Sequence, residues 1–322
     1  MSRLFACLLF PVLLSAAWSE EPYASGPIRL IVPFPPGSVA QTIGGSLAET
    51  MEKHLGQRVS VVNRPRASGA FGMAAVAKSA PDGRTILMAA SSISLIPLAH
   101  RIIGRQPLYD ISEFAPIALI TEDSPLVLVR ADGPYESVSD LIAAARTNPA
   151  KIKYSSPGVY SPLHVAMEVF AQATGVKLVH VPYQGGGAAI TALLFGQVEA
   201  LASEPAAAIR HINAGKMRAL ATWATERLKS MPDLPTLKGL GYDAEFYIWS
   251  GVFAPAKTPE PILMRLREAV RHAAHSEEFR AALEAVSMTA SYRDAPEFTM
   301  YLERDAARLK LALEKIGRVH EK

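Results

Sequence analysis

Cysteine is nearly absent from this sequence, which contains one, Cys7, in 322 residues. Cys7 lies in an apolar run from Leu4 to Leu14 that follows Arg3 and leads into small residues. This order is typical of a secretory signal peptide and predicts cleavage after Ser19. A mature chain that begins at Glu20 contains no cysteine, which excludes disulfide bonds and thiol chemistry. Because Cys7 precedes most of the apolar run, we do not expect it to carry a lipid anchor.

Long apolar runs and an excess of one charge are also missing. A membrane-spanning helix needs about 20 apolar residues, and residues 4–14 provide about half that length with no second run of spanning size. The 33 basic and 30 acidic residues are interspersed and give a formal net charge of +3. Neither a basic stripe for nucleic acid nor a polybasic arm for membranes is therefore present. We expect a soluble periplasmic protein that binds a small molecule and no nucleic acid.

Short apolar runs rich in Val and Ile alternate with longer amphipathic stretches, which is typical of a parallel α/β architecture. These runs predict strands near IRLIVPF, VSVVN, TILMAA, IALIT, LVLVR, IKYSS, VKLVHV, VEALAS, MRALATW and WSGVFAP. The last sixty or so residues show helical spacing without a further strand pattern, so we expect the chain to end in helices.

Two lobes are expected, because about 300 residues can form two cores and neither a linker nor a repeat separates the halves. Domains joined without a linker are usually crossed by the chain more than once. The predicted organisation is a signal peptide at 1–19, lobe 1 at 20–123 plus 250–322, and lobe 2 at 124–249. Ligands of such sheets bind outside the carboxyl ends of the strands, which places the expected site in the cleft between the lobes.

The segment IVPFPPGSVAQTIGGSLAETM, residues 31–51, begins as a strand and ends as a helix. Gly37 and Ser38 lie at the junction, where backbone N–H groups lack intrahelical partners and can hold an anion. The segment has neither the Lys-Ser/Thr of a phosphate-binding loop nor a G-x-G-x-x-G spacing. A carboxylate is therefore the expected ligand group. The stripe of Ile43, Leu47 and Met51 predicts core packing of the helix.

The segment VHVPYQGGGAAITALLFGQVEA, residues 179–200, repeats this strand-to-helix pattern. Three glycines, Gly185 to Gly187, follow Tyr183, and a helix is expected to start near Ala188. Glycine allows close approach of the backbone to a ligand and permits positive φ, so we expect ligand contact here, with a flexible hairpin as the alternative. Together the two turns predict a clamp of uncharged donors for a dicarboxylate, or for a carboxylate with a polar far end.

A hydroxyl-rich loop between the two turns contains Ser155, Ser156 and Ser161. His164 and Glu168 follow four residues apart on one helix and could bind a metal ion. Because no third ligand at a typical spacing accompanies them, we expect an ordinary surface pair and predict no metal and no cofactor.

Catalytic motifs are not recognisable, since the sequence contains no G-x-S-x-G nucleophile elbow. We therefore do not expect an enzyme. A periplasmic hydrolase is the alternative from another class, because a fold does not determine a function.

Segments along essentially the whole mature chain resemble the Bug, or TctC-like, periplasmic solute-binding proteins of tripartite tricarboxylate transporters. These segments are PIRLIVPFPPGS, VVNRPRASGAFGMAAVAKSAPDGRTIL, FAPIALI, HVPYQGGGAAITALLFGQVEA, INAGKMRALAT, MPDLPTL and FAPAKTP. The resemblance implies a type II periplasmic-binding-protein fold, in which two α/β lobes joined by crossing strands close on a small organic acid. It also implies delivery of the acid to membrane transporter subunits. A protein that reports its ligand to a membrane sensor, such as a sensor kinase, is the alternative, and we expect a monomer in either case.

The resemblance places ligand-binding residues on both turns, on the loop between them and on the loop after TILMAA. Carried onto this sequence, they are Phe34, Pro36, Gly37, Ser38, Val39, Ser91, Ser92, Gly158, Ser161, His164, Tyr183, Gln184, Gly185, Gly186 and Gly187. The family holds its ligand largely through backbone N–H groups and bridging water. For Ser91 and Ser92 a solvated turn is the alternative.

Four positions depart from the residues usual in the family. Ser38 and Gln41 stand where a glycine and an acidic residue are common, Arg66 where glycine is usual, and Glu204 where asparagine or a small apolar residue is usual. Gln41 and Glu204 are added to the ligand-binding residues predicted above. A Glu204 that faces the cleft would disfavour a second ligand carboxylate and favour an amide, hydroxyl or cationic group. Surface variation is the alternative for Arg66 and Glu204.

Overall fold

The computed structural model describes residues 26–286 and 288–317. The predicted signal peptide and its cleavage site lie outside these residues. Within the described part of the chain, no helix combines the length and the apolar character needed to cross a membrane.

A mixed six-stranded sheet forms the centre of lobe 1. Its strands are β1 (Ile28–Val32), β2 (Val59–Asn63), β3 (Thr85–Ala90), β4 (Phe114–Asp123), β10 (Ile248–Pro255) and β11 (Ala290–Arg293), in the order β11-β4-β10-β3-β1-β2. Strand β1 is parallel to β2 and β3, whereas β10 is antiparallel to β3 and β4. The carboxyl ends of β1, β2 and β3 therefore lie at one edge of the sheet.

A mixed five-stranded sheet forms the centre of lobe 2. Its strands are β5 (Leu126–Arg130), β6 (Lys153–Ser156), β7 (Val179–Pro182), β8 (Ala200–Ser203) and β9 (Met217–Thr222), in the order β7-β6-β8-β5-β9. Strand β6 is parallel to β7 and β8, and β5 is antiparallel to β8 and β9. The segments after β6, β7 and β8 consequently leave the sheet at the same edge.

Ten α-helices pack against the two sheets in the described chain. They are α1 (Val39–Leu55), α2 (Ala70–Ala77), α3 (Ser92–Ile102), α4 (Val138–Thr147), α5 (Pro162–Thr174), α6 (Gly186–Leu194), α7 (Pro205–Asn213), α8 (Glu260–Ala274), α9 (Glu277–Ala285) and α10 (Ala295–Ile316). Helix α1 buries Ile43, Leu47 and Met51 against the six-stranded sheet, as their four-residue spacing predicts. Helix α4 begins with a capping box between Ser137 and Asp140.

The chain crosses between the lobes after β4 and again before β10. The last helix, α10, also contacts both lobes: Phe298 and Leu302 pack with lobe 1, whereas Leu309 and Leu313 belong to the core of lobe 2. The Tyr160 hydroxyl donates a hydrogen bond to the Gly317 carbonyl at 2.8 Å. The end of α10 is therefore part of lobe 2 in its packing.

The expectation of a two-lobe α/β fold of the periplasmic-binding-protein type is confirmed, and all ten predicted strands are present. Two expectations are wrong. The sheets are mixed rather than parallel, because the strands at the crossings return antiparallel. A short strand, β11, lies within the last sixty residues, where no further strand was expected, although the described chain ends in helix α10 as predicted. The residue limits drawn for the lobes stay a prediction, although β10 starts two residues before the second limit.

Candidate ligand-binding cleft

A cavity of about 420 Å³ is bounded by residues of both lobes. Lobe 1 provides the start of α1, the ends of β3 and β4, part of β10 and the end of α9, and lobe 2 provides the start of α7. The described lining residues are Phe34, Ser38, Val39, Ala40, Ile43, Ala90, Asp123, Glu204, Pro205, Ala206, Ala207, Ile248, Ser250, Ala285, Val286 and Met288. The lining is mainly apolar with a few polar groups, which is the usual character of a small-molecule site.

The first strand-to-helix turn contributes Phe34, Ser38 and Val39 to this lining. Gly37 has φ +79°, a conformation that favours glycine. Ser38 is the N-cap of α1, and its hydroxyl accepts a hydrogen bond from the Gln41 N–H at 3.3 Å. The Gln41 side chain in turn accepts a hydrogen bond from the Gly37 N–H at 2.6 Å. Gln41 therefore fixes the turn from within, and it does not appear in the cavity lining.

The available donors of this turn are not the two that the sequence suggested. The N–H of Gly37 is bonded to Gln41, and that of Ser38 to the Pro35 carbonyl at 3.2 Å. The N–H groups of Val39 and Ala40, the first two of α1, have no hydrogen-bond partner within the described residues. Both residues line the cavity, so the positive end of α1 faces it.

The second strand-to-helix turn, residues 183–187, lies outside the lining of this cavity. Helix α6 begins at Gly186, two residues before the expected start, with Gly185 as N-cap at φ +99°. Gly186 does not adopt positive φ, and a Cβ placed there would meet no atom within 4 Å. In the described structure the N–H groups of Gly186 and Gly187 have no partner. The turn thus has the donors predicted for it, but they are exposed to solvent.

The hydroxyl-rich loop lies beside this second turn. The Tyr183 N–H donates to the Ser156 carbonyl at 2.9 Å, and the Gly185 N–H donates to the Pro157 carbonyl at 3.1 Å. Gly158 lies against Tyr183, because a Cβ built at Gly158 would be 3.8 Å from the Tyr183 carbonyl oxygen. The structure therefore brings the predicted residues of lobe 2 together as one surface, with Glu204 on a separate strand end.

His164 is buried beneath that loop rather than exposed on a helix, so the expectation of a surface pair with Glu168 is wrong. It is 1% exposed, its Nδ1 accepts a hydrogen bond from the Tyr160 N–H at 2.9 Å, and its ring stacks on His180 at 3.8 Å. Burial, and next the neighbouring His180, lowers the pKa of His164 to about 3. Glu168 instead accepts a hydrogen bond from the Tyr154 hydroxyl at 2.5 Å. Both side chains therefore make their hydrogen bonds within lobe 2.

Residues 26–286 and 288–317 contain no group of three or more His, Cys, Asp or Glu side chains that could hold a metal ion.

Ser91 and Ser92 lie at the start of α3, after the carboxyl end of β3, and they are buried rather than part of a solvated turn. They are 3% and 9% exposed, and neither hydroxyl has a hydrogen-bond partner in the described part of the chain. Ser91 lies in a crevice with Pro162 of lobe 2 and Tyr247 of the crossing segment. Ser91 therefore lies between the lobes, directly after the cavity residue Ala90.

Two carboxyl groups lie in the cavity lining, Glu204 at the start of α7 and Asp123 at the end of β4. Glu204 therefore faces the cleft. Burial raises the pKa of Glu204, and burial raises that of Asp123 to about 7, with a further rise from the Glu204 charge. Sequence reasoning did not select Asp123. Its position directly after a strand, where the chain leaves lobe 1, is the signal that could have identified it.

Arg66 does not line the cavity. Its guanidinium lies 4.8 Å from the centroid of the exposed Phe71 ring, which is a cation–π contact at the surface. The arginine that stands where the family usually has glycine thus makes a surface contact of lobe 1.

Comparison with known proteins agrees with this architecture. The sequence profile of the tripartite tricarboxylate transporter family receptor, TctC, matches residues 43–318, which include most of both lobes. The chain belongs to this family. Protein BugT of Bordetella pertussis, a curated relative, is 34% identical over 278 residues, which are 86% of this chain and 85% of BugT.

Solved structures of TctC-family proteins superpose on nearly the whole chain. A TctC solute-binding protein from Polaromonas, solved without ligand, is 32% identical with a TM-score of 0.78 and covers 90% of this chain and 99% of its own. An R. palustris protein solved with adipate is 27% identical with a TM-score of 0.78, and the match covers 90% of this chain and 97% of that protein. The fold and the family are thus those of solute-binding proteins.

Proposed function

We propose that this TctC-family protein is exported to the periplasm, captures a small carboxylate between its lobes and delivers it to the membrane subunits of a tripartite tricarboxylate-type transporter. The observation that carries the proposal is the pair of unbonded N–H groups of Val39 and Ala40 at the wall of a cavity bounded by both lobes. The adipate in the R. palustris relative supports a carboxylate as the ligand class.

A carboxylate suits the start of α1 for two reasons. The N–H groups there can donate two hydrogen bonds without breaking any bond of the helix. The partial positive charge of the helix N-terminus stabilises an anion, and the apolar lining strengthens that attraction by excluding water. Helix α1 has no acidic residue in its first turn that would compete for the same position.

The surface of lobe 2 formed by the loop 156–161 and the turn 183–187 completes the proposed site when the lobes close. The unbonded N–H groups of Gly186 and Gly187 support this role. Closure would rotate lobe 2 about the crossing segments, as hinge-bending proteins do around their ligands. The turn would then add N–H donors from lobe 2 to the ligand carboxylate.

Thermal denaturation in the presence of small acids tests the binding function. An acid present at about 100 times its Kd adds roughly 2.7 kcal/mol to the free energy of unfolding, and should raise Tm by about 5 °C in a chain of this size. We expect at least one class of mono- or dicarboxylate to do so. If no carboxylate in a broad panel shifts Tm, the proposed function is wrong.

Delivery to a transporter is separated from signalling by comparing two phenotypes of a strain that lacks the gene. Loss of uptake of the binding acid supports delivery. Unchanged uptake together with loss of the transcriptional response to that acid would instead favour the sensor alternative.

Export is tested by N-terminal sequencing of the secreted protein. The sequence should begin at Glu20 if the signal peptide is cut as predicted.

The hydrolase alternative has one geometric candidate, a hydrogen bond of 2.7 Å between the Ser156 hydroxyl and His180 Nε2. Ser156 is completely buried, and its hydroxyl also contacts the Gly158 carbonyl at 2.9 Å. Both partners of the Ser156 hydroxyl therefore lie within lobe 2. Turnover of an ester, amide or phosphate that is lost in Ser156→Ala would overturn the non-enzymatic assignment.

A further inference from the structure

The charged side chains in the described lining of the cavity are both acidic, Asp123 and Glu204, with no Lys, Arg or His among these residues. A site for a dicarboxylate would be expected to place neutral or positive groups at both ends. The acidic pair lies on the wall formed by the end of β4 and the start of α7, whereas the unbonded N–H groups of Val39 and Ala40 belong to the start of α1. The cavity thus has donors on one element and acceptors on two others.

No cationic side chain pairs with Asp123 in the described chain. Its Oδ1 accepts a long hydrogen bond of 3.4 Å from the Thr289 N–H, and its Oδ2 is fully buried without a hydrogen-bond partner in the described chain. The adjacent Glu122 is paired with Arg293 at 2.7 Å, so this arginine is already engaged by another carboxylate. Asp123 therefore retains an acceptor that nothing in the described protein satisfies.

Glu204 is also without a partner. It is the N-cap residue of α7, yet its carboxyl makes no capping hydrogen bond, and no ion pair or side-chain hydrogen bond joins it to another described residue. A carboxyl group that lines an apolar cavity in this way is costly unless a donor meets it. Glu204 thus leaves an unpaired carboxyl group at the cavity wall, where a donor on a ligand can meet it.

A third acceptor lies on the same wall. Ser250 is 9% exposed and lines the cavity, and its hydroxyl has no hydrogen-bond partner among residues 26–286 and 288–317. On β10, Ser250 pairs with Thr121, two residues before Asp123 on β4. The wall therefore offers a hydroxyl beside the two carboxyl groups, which matches the several acceptors that an ammonium group requires.

We infer that the ligand is a zwitterion, with a carboxylate at the N-terminus of α1 and a cationic amine held by Asp123, Glu204 and Ser250. This inference rests on the proposed binding function and names its ligand class. A second free carboxylate at this wall would face two carboxyl groups and be repelled, whereas an amine satisfies their acceptors and neutralises their charge. The acidic wall therefore acts as the specificity determinant against dicarboxylates.

Titration calorimetry with four-carbon acids that differ only at the far end tests the inference. The probes are 4-aminobutyrate, succinamate, butyrate and succinate, and 6-aminohexanoate and adipate repeat the comparison at a longer spacing. We expect the ammonium-ended acid to bind at least about tenfold more tightly than the dicarboxylate of equal length, the effect of one charged hydrogen bond.

The variants Glu204→Gln and Asp123→Asn test whether the acidic wall causes the preference for the ammonium-ended acid. Each should reduce the preference for the ammonium end by about tenfold. Glu226→Gln is the matched control, since Glu226 is exposed on the same lobe and away from the cavity. Two variants from different lobes keep the test valid if one of them fails to fold.

Three results would overturn the inference while leaving the binding function intact. These are tighter binding of succinate or adipate than of the ammonium-ended acids, equal binding of succinamate and 4-aminobutyrate, and an ammonium preference that survives both substitutions. Absence of binding by every probe, combined with no Tm shift in the broader carboxylate panel, would instead refute the binding function itself.

Discussion

The two strand-to-helix turns look alike in the sequence and differ in the folded protein. Both follow a parallel strand, contain glycine at positive φ and leave N–H groups of the next helix unbonded. The turn at residues 34–41 is fixed by the side chains of Ser38 and Gln41 and contributes Phe34, Ser38, Val39 and Ala40 to the cavity lining. The turn at residues 183–187 has no side-chain cap and is exposed outside that cavity.

This difference separates two properties that a local pattern does not distinguish. The pattern of strand, glycine and helix determines that donors exist, because every helix begins with unbonded N–H groups. Which donors meet a ligand depends on the arrangement of the lobes. In the described arrangement, the lobe 2 element that lines the cavity together with the start of α1 is the start of α7 with Glu204, and not the glycine turn.

The largest effect is expected from Val39→Pro, which removes one N–H from the first turn. Proline is well accepted as the first residue of a helix, and Ser38, at φ −74° and ψ 157°, already has the extended conformation required before proline. Loss of a hydrogen bond to a charged group should weaken binding of the best acid by about 10- to 100-fold. Calorimetry measures the loss.

Val39→Ala is the control for that prediction, because it shortens the same side chain and keeps the N–H. It should bind within about threefold of the unmodified protein. Equal weakening by both variants would mean that the Val39 side chain, and not its N–H, contacts the ligand. Unchanged affinity in Val39→Pro would remove the first turn from the site.

The next effect concerns the second turn and uses Gly186→Val. The new side chain meets no atom within 4 Å in the protein and requires no strained backbone, unlike a substitution at Gly185. Folding should therefore be unaffected. If the turn closes on the ligand, the added bulk should weaken binding roughly tenfold.

Gly45→Val is the matched control, since Gly45 lies on α1 outside the cavity lining and also has open space at its Cβ. Both variants should melt as the unmodified protein does, and only Gly186→Val should lose affinity. Equal affinities in the two variants would show that the second turn is only a connection between β7 and α6.

A smaller effect is expected on the stability of the free protein when the pH changes, because Asp123 titrates. Its pKa is raised from 3.8 to about 7 by burial and by the nearby charges of Glu204 and Glu122, while Arg293 is paired with Glu122. The folded protein therefore holds this proton more tightly than the unfolded chain, and Asp123 makes the free protein less stable as pH rises from about 4 to 7. Denaturant unfolding of Asp123→Asn should show a weaker decline over this range.

The same titration should act on binding in the opposite direction for the two ligand classes. Ionisation of Asp123 between pH 6 and 8 should strengthen binding of 4-aminobutyrate by up to about fivefold and weaken that of succinate. Parallel pH profiles for both acids would contradict a cationic subsite at Asp123. The Asp123→Asn variant should remove the difference between the profiles.

The smallest effect is expected from Ser38→Ala, which removes the cap that distinguishes the first turn from the second. Loss of an N-cap hydroxyl costs about 1 kcal/mol and should lower Tm by about 2 °C in a chain of this length. Binding should weaken less than about threefold, because the Val39 and Ala40 N–H groups remain. A loss as large as that of Val39→Pro would mean that the Ser38 hydroxyl itself holds the ligand.

Much of the fold could be predicted from local patterns. The ten predicted strands are short, mostly apolar runs that separate clearly from the amphipathic helices, and α1 buries the residues that its spacing indicates. Strand β11 was missed because it has four residues, Ala290–Arg293, between long helical stretches and buries little of its length. So short a segment carries no readable alternation.

The site was less predictable, for reasons that lie in three dimensions. The hydrogen bond from the Gly37 N–H to Gln41 and the burial of His164 under the loop 156–161 depend on side-chain positions that no spacing reveals. Asp123 and Glu204 are 81 positions apart and meet only because β4 ends at the crossing and α7 starts at the facing edge of lobe 2. Glu204 was suspected from its departure from the family pattern, whereas Asp123 was not.

The most direct measurement is a crystal structure of the protein with the tightest-binding acid of the series. The account predicts a carboxylate within about 3 Å of the Val39 and Ala40 nitrogens, in the cavity that Asp123 and Glu204 also line. The far end of the same molecule should contact those two carboxyl groups. An acid bound outside this cavity, or one whose carboxylate contacts the second turn and leaves the start of α1 empty, would contradict it.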